Sequence, residues 1–444
     1  MRQGQLRYGR QALKENAMST CPTRRRPGRH LAPLALAAAL VGIAVPARAA
    51  ADAALLDAAR KAQPAVVESL KDMVLIESGS ANAEGLAKMA DYTERRLKEL
   101  GAQTERIKAT RGPGSLVKGT FTGSGTKKIM LIAHMDTVYP ANTLATQPYR
   151  LDGNKLYGPG IADDKGGIAV ALHSLQILKD AGWRNFARIT VLFNPDEEGG
   201  SVGSGELIAT LAADHDVVFS CEPTAAKAVA KNEGLLLGAA GTATATMEVK
   251  GRAAHAGVAP ELGRNALIEL SHQLLALRDV AKAVPGTQLN WTYSRVGEVR
   301  NQIPALAVAS ADVRTTVVGG AEKLRDVLQE KLKTVTPLVP DTETTIRFDM
   351  GGPAFVASDA ARELAKRAQA IYQELDGREL QLMPMTGGAT DAGNASKSGK
   401  AIVLESFGLA GWGYHARDEY IELDSIVPRL YLMTRMLMTV GGGS

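Results

Sequence analysis

The chain has 444 residues, 45% apolar and 22% charged, with two cysteines. That content supports a sizeable core, and the length suits two domains better than one. The net charge of +5 is carried by residues 1–49, which hold nine Arg or Lys against Glu15 alone, so the rest of the chain carries −3 and gives no basis for a basic nucleic-acid surface. Cys221 is the one cysteine beyond residue 49, which excludes an internal disulfide there and predicts a small buried hydrophobe.

Arg24, Arg25, Arg26 and Arg29 precede an apolar run from Leu31 to Pro46 and the small-residue pattern Ala47-Arg48-Ala49. The run is shorter than the roughly 20 residues of a spanning helix, so residues 1–49 are expected to be a secretory leader. The mature protein is then periplasmic or secreted, with no membrane segment.

A helical start rich in Ala and Leu follows, and then short, apolar, partly β-branched runs at Ile129–Ala133, Ile189–Asn194, Val217–Cys221 and Ala401–Leu404 read as buried strands. Between the first two, Ile168, Leu172, Leu175 and Leu178 recur at helical spacing over Gly166–Ala181. Strand, helix and strand in that order predict a parallel α/β sheet. From Thr242 the texture changes. Strand Thr244–Val249, helix Asn265–Val280, strands Gln288–Arg295 and Ala305–Arg314, helix Glu322–Thr334 and strand Thr344–Asp349 give the βαββαβ order of a ferredoxin-like module. The α/β pattern resumes near Phe355. The expected architecture is one discontinuous α/β domain, 50–241 with 350–444, into which residues 242–349 are inserted.

Ligands of open α/β sheets bind outside the carboxyl ends of the strands. There the chain places His134-Met135-Asp136, Asp196-Glu197-Glu198 and Glu222, with the loop Gly158–Gly167 between the first two strands and Gly413-Tyr414-His415 after the last. Imidazoles and carboxylates on one rim suit zinc, with cobalt or manganese as alternatives, and two ions need a bridging group plus terminal ligands. Taken singly, His134 reads as a hydrogen-bonded histidine, Glu197-Glu198 as a solvated turn, and Asp163-Asp164 as a turn or helix N-cap, without deciding which aspartate would bridge. Their convergence on one rim favours a metal site. Gly199-Gly200-Ser201-Val202-Gly203 matches a serine-hydrolase elbow, but Ser201 lies too far beyond the strand end at Asn194 for that turn.

With these residues assembled, the chain resembles the family of co-catalytic zinc metallopeptidases that includes bacterial glutamate carboxypeptidase, succinyl-diaminopimelate desuccinylase and aminoacylase. The resemblance runs through Ala133–Tyr139, Tyr157–Gly167, Val191–Glu198, Glu222-Pro223-Thr224, His255-Ala256-Gly257 and Gly413-Tyr414-His415, and is strongest to glutamate carboxypeptidase. It implies a zinc-exopeptidase-like α/β catalytic domain with an inserted ferredoxin-like dimerisation domain. It also implies two zinc ions per subunit, His134 and Glu222 on one, Glu198 and His415 on the other, and Asp163 between them, often joined to Asp164 by a cis peptide. Asp136 would orient His134, and Glu197 would be the general base. His255, reaching across a homodimer, and Asn301 would face the substrate carbonyl, while Arg314 would pair with the free α-carboxylate of the released residue.

The resemblance implies cleavage of the amide bond before a C-terminal amino acid of a peptide or N-acyl amino acid. A deacylase or desuccinylase of biosynthetic intermediates is the second enzyme reading, and a non-catalytic periplasmic binding protein a third, which leaves Glu197 unexplained. The sequence departs from the family's glutamate pocket. Gly352 precedes Pro353-Ala354-Phe355 where a basic residue is expected, and only Lys227 or Lys231 could replace a second one near Gly234. A neutral or apolar released residue is therefore expected.

Overall fold

The computed structural model describes residues 50–442, so the leader expected over 1–49 lies outside the described residues. Strands Lys128–His134 and Arg188–Asn194 are buried at six of seven positions each, which their unbroken apolar runs require when both faces of a sheet are covered. They sit at the centre of a six-stranded sheet in the order Gln103–Lys108, Ser115–Thr122, Arg188–Asn194, Lys128–His134, Val217–Ser220, Ile402–Leu404. The last four strands are parallel, as expected. The first two are antiparallel additions absent from the sequence reading. Gln103–Lys108 is largely exposed and polar, so it carries no apolar run by which to recognise it.

Helices Ala53–Val74, Lys165–Asp180 and Ile426–Gly442 pack on one another against the sheet. Asp52 caps the first by accepting from the amides of Ala54 and Leu55. Between helices, the Ser69 hydroxyl accepts from Arg96 at 2.8 Å and contacts Nε2 of His173 at 2.9 Å. Burial, and then the Arg96 charge, push the His173 imidazole down to about 4, so it sits there neutral. Lys165–Asp180 starts directly beneath the strand ends. Asp164 is its N-cap, accepting from Gly167 N–H at 3.1 Å, and a Cβ on Gly167 would lie 2.1 Å from the Cys221 carbonyl oxygen. The glycine lets this helix begin against the strand that leads to Glu222.

A second sheet, in the order Arg150–Asp152, Lys155–Tyr157, Tyr420–Glu422, Ala410–Trp412, Thr224–Ala225, gathers segments far apart in the chain. Its hairpin Ala410–Trp412 to Tyr420–Glu422 carries the loop with His415 to the carboxyl rim of the main sheet.

The inserted module has the expected βαββαβ order. Strands Gly241–Lys250, Thr287–Val296, Leu306–Thr315 and Glu343–Met350 form a sheet with Gly241–Lys250 and Leu306–Thr315 in the middle. Helices Ala266–Leu277 and Gly320–Thr334 cover one face, around Ala245, Met247, Leu270, Ala309, Ala311, Val313, Leu324 and Leu328. Strand alternation puts the intervening residues on the other face. Thr244 stands opposite both Asp312 and Asp349, and Thr242 opposite Arg314. This hydrophobic cluster is separate from that of the main sheet, although both belong to one compact unit. Among the described residues no helix is long and apolar enough to cross a membrane.

Candidate metal centre

The strand ends deliver the expected side chains to one rim. His134, the last residue of its strand, is 1% exposed, and its Nε2 lies 2.9 Å from Oδ1 of Asp163 and 3.6 Å from Oε1 of Glu222. His415 Nε2 lies 3.1 Å from Oε2 of Glu198 and 3.6 Å from Oδ2 of Asp163. Two groups of ligand atoms result, His134–Asp163–Glu222 and Asp163–Glu198–His415, each within 4.8 Å of one another, and Asp163 belongs to both. The peptide between Asp163 and Asp164 is cis. The Asp164 carboxylate turns away from both groups, accepting from the amides of Gly167 and His134.

Burial opposes charge throughout this cluster. It pushes the carboxyls of Glu222 and Glu197 well above the usual range, with added repulsion from Asp163 on Glu222 and from Asp391 and Glu198 on Glu197. The imidazoles move to compensate. Burial works against a charged His134, but contacts with Asp136 and Asp163 raise it well above its ordinary value. Hydrogen bonds to Asp163 and Glu198 push His415 up to about 10. Burial notwithstanding, the two imidazoles hold Asp163 below the carboxylate range. The cluster therefore favours positive charge beside its carboxylates. Clustered carboxylates with imidazoles in two groups fit a pair of divalent ions.

Asp136 is placed differently from the simplest expectation. Its backbone carbonyl is 3.0 Å from Nδ1 of His134 and its carboxylate 3.4 Å. The carboxylate is occupied by the amides of Glu197 at 3.0 Å and Glu198 at 3.2 Å and by the Ser80 hydroxyl at 2.8 Å. It thus positions the acidic pair as well as the histidine.

The rim opens into a cleft of about 690 Å³ between the main sheet and the polar face of the inserted sheet. Glu197, Glu198, Glu222, Asp163 and His415 line it, as does Arg314 from the far side. Arg314 donates from Nε to Asp312 at 3.0 Å and from Nη1 to the Gly387 carbonyl at 3.4 Å. His255 and Asn301 do not line the cleft. Both are exposed on the inserted module, joined by the Ala256 amide donating to the Asn301 carbonyl, and the amides of Gly257 and Val258 donate to Nδ1 of His255. Lys227 is paired with Asp424 and Lys231 is exposed, so neither supplies a cation to the cleft. Ser201 is no elbow nucleophile, since its hydroxyl donates to Asp391 at 2.6 Å and among the described residues no imidazole is bonded to it.

Sequence reasoning missed Glu419 and Tyr139, which lie directly behind the centre. The Glu419 carboxylate accepts from the amides of Gly160, Ala162 and Asp163 and from the Tyr139 hydroxyl. In the sequence, Asp418-Glu419 looks like any solvated acidic pair.

A parallel-core α/β sheet with a carboxylate shared between two ligand groups at its carboxyl rim, facing an inserted lid, defines a metal-dependent hydrolase. Comparison with known proteins agrees, and the chain belongs to peptidase family M20/M25/M40, whose profile matches residues 130–439. It is 42% identical over 394 residues to carboxypeptidase G2 of Pseudomonas sp. (strain RS-16), covering 88% of this chain and 93% of that one. It is 27% identical to succinyl-diaminopimelate desuccinylase of Gluconobacter oxydans (strain 621H), covering 70% and 81%. Among solved structures, the M20 family metallo-carboxypeptidase of Sulfolobus solfataricus shares the fold with a TM-score of 0.71 at 17% identity, over 85% of this chain and 99% of that one.

Proposed function

We propose that the protein is a metallo-carboxypeptidase that hydrolyses the amide bond preceding a C-terminal amino acid of a small peptide or N-acyl amino acid. The observation that carries this reading is Asp163 shared between two ligand groups, with Glu197 beside them and Arg314 across the same cleft. His134, Glu222, Glu198, His415 and Asp163 would hold two divalent ions, zinc by default and cobalt or manganese by the same donor chemistry. When bound, such ions polarise the scissile carbonyl and acidify a water. Glu197 accepts the proton of the attacking water and returns it to the leaving nitrogen. Arg314, its guanidinium oriented by Asp312, pairs with the α-carboxylate of the released residue. The 42% identity to a carboxypeptidase, against 26–29% to desuccinylases and acetylornithine deacetylases, supports this over a biosynthetic deacylase.

The released residue is assigned a neutral or apolar side chain. Leu236, Met350 and Met383 line the cleft, and among the described residues Arg314 is the one Lys or Arg that lines it. With zinc measured per subunit, a panel of N-acyl amino acids assayed with and without chelator tests both claims. N-acyl-Leu and N-acyl-Phe should exceed N-acyl-Glu in kcat/KM, and all turnover should vanish with chelator. Preference for N-acyl-Glu would sink the side-chain assignment, and chelator-resistant turnover would sink the metal mechanism.

Dimerisation through the inserted module is part of the proposal. Its edge strand Thr287–Val296 is largely exposed, and Leu267, Ile268, Leu275, Tyr293 and Leu306 present apolar surface. His255 and Asn301, outside their own cleft, then reach the partner's. Mixed His255→Ala and Glu197→Gln subunits should recover about a quarter of wild-type activity, because half of randomly paired dimers carry one intact site of two. Subunit exchange without recovery argues against sharing. Export through the 1–49 leader is proposed as well, and a mature amino terminus at Ala50 in the native host is the result that tests it.

A further inference from the structure

We propose that Glu419 is the positioning residue that fixes the two candidate metal subsites relative to each other, with Tyr139 as its accessory. The inference rests on the reading that His134, Asp163, Glu198, Glu222 and His415 hold metal. Glu419 is 1% exposed, and its carboxylate is saturated from within the chain. Oε1 accepts from the amides of Ala162 at 2.8 Å and Asp163 at 3.0 Å, while Oε2 accepts from Gly160 N–H at 2.9 Å and from the Tyr139 hydroxyl at 2.7 Å. Four donors on the roughly four lone-pair sites of one carboxylate leave no acceptor idle.

What those donors belong to decides the argument. Gly160, Ala162 and Asp163 belong to the loop that presents the shared Asp163, so three amides of one four-residue stretch are gathered on one acceptor. Tyr139 lies five residues beyond His134 on the segment leaving that strand, and its hydroxyl oxygen is also 2.8 Å from the carbonyl of Ala416, the neighbour of His415. Glu419 itself closes the loop that carries His415, and its backbone carbonyl accepts from Gly158 N–H at 3.2 Å. One side chain thus ties together the segments bearing His134, Asp163 and His415, which come from both ligand groups. The fully buried Lys165 ammonium, donating to the carbonyls of Pro159 and Ile76, supplies positive charge behind the same loop. His415 has a φ of +61° and a half-exposed side chain, so besides its contacts with Glu198 and Asp163 it depends on the loop that Glu419 closes.

Only a carboxylate performs this task. An isosteric Gln puts N–H donors in place of one oxygen. At Oε2 they oppose the Gly160 N–H and force the Tyr139 hydroxyl to turn from donor to acceptor, and at Oε1 they oppose the N–H groups of both Ala162 and Asp163, so in either orientation the loop must move. Asp163 then leaves the position common to both groups.

The test titrates chelator-treated wild type, Glu419→Gln and Tyr139→Phe with cobalt(II), following bound ions per subunit and the visible absorption band. Loss of a group that orients ligands from behind costs about 10- to 100-fold in metal affinity. Glu419→Gln is expected to weaken cobalt binding by at least about 10-fold with an altered band, and Tyr139→Phe to weaken it severalfold. A residue that served only the fold would lower the melting temperature of metal-free protein while leaving cobalt affinity and band unchanged, and that result in folded Glu419→Gln overturns the proposal. Should Glu419→Gln not fold, Tyr139→Phe decides by the same criterion. Wild type that takes up no cobalt, zinc or manganese overturns the metal reading and this inference together, whereas wild type and Glu419→Gln binding equally overturns only the inference.

Discussion

Replacing Glu197 with Gln is expected to leave both metal groups filled and to lower kcat about 1000-fold, within the range that a positioned general base supplies. Glu197 belongs to neither ligand group, yet it lines the cleft next to Glu198, which belongs to one. Its backbone is fixed, because the Asp136 carboxylate accepts its amide at 3.0 Å, so a Gln side chain starts from the same place. Burial pushes its carboxyl well above the usual carboxylate range, with Asp391 and Glu198 adding to the shift. A carboxylate made harder to ionise is a better proton acceptor once ionised, which suits a base that must strip water near neutral pH. Gln keeps the volume and loses the acceptor. Metal content by elemental analysis and kcat on an N-acyl amino acid separate the possibilities. Loss of turnover with metal retained assigns the base, loss of both makes Glu197 a ligand, and undiminished kcat removes it from the mechanism.

The division of labour between Glu197 and Glu198 shows how far local pattern reaches. Strands buried on both faces announce themselves, and with them the polar residues at their carboxyl ends, so His134, Glu198 and Glu222, each ambiguous alone, could be recognised by their convergence on one rim. The pair Asp163-Asp164 could not be resolved by spacing, since one of them caps a helix and the other faces the ligand groups, and both are uses that aspartate serves at a helix start. The alternation of Gly241–Lys250 and Leu306–Thr315 made the inserted module readable, while Gln103–Lys108, exposed at an edge, had no alternation to read. Glu419 was invisible because its meaning lies in partners more than 250 residues away in the chain. Whether Lys227 faces the cleft was unreadable for the same reason. It could have replaced a cation of the side-chain pocket, but Asp424, also brought from a distant segment, pairs with it.

Stripping the metal is expected to lower the melting temperature by on the order of 10 °C at pH 8, and by much less at pH 5.5. An ion present at 1,000 times its dissociation constant stabilises the fold by about 4 kcal/mol, so two give about 8 kcal/mol, and at about 2.1 cal/mol/K of unfolding entropy per residue a chain of this size shifts by roughly 1 °C for each kcal/mol. The pH dependence follows from the protons of the metal-free centre. Burial raises the carboxyls of Glu222, Glu197 and Glu198, and hydrogen bonds to carboxylates raise His134 and His415. Every one of these groups binds its proton more tightly folded than unfolded, so its contribution is fully present below its unfolded pKa and is lost as pH rises through the folded one. Metal-free protein therefore weakens from about pH 5 upward, through the ordinary histidine range and beyond. Asp163, held low, is ionised across this whole window and does not alter the trend. Metal binding acts in the opposite direction, because the ligands must be deprotonated and affinity climbs with pH. His173 behaves differently again. Its folded pKa of about 4 means stability is lost as pH falls below 6.5, but it does so equally with and without ions and cancels in the difference. The measurement is the gap between melting temperatures with excess zinc and with chelator at several pH values. A gap that widens toward alkaline pH identifies protons as the stand-ins for metal at His134, His415 and the acids around Asp163; a gap that is constant, or widest in acid, shows that these residues do not form the metal centre.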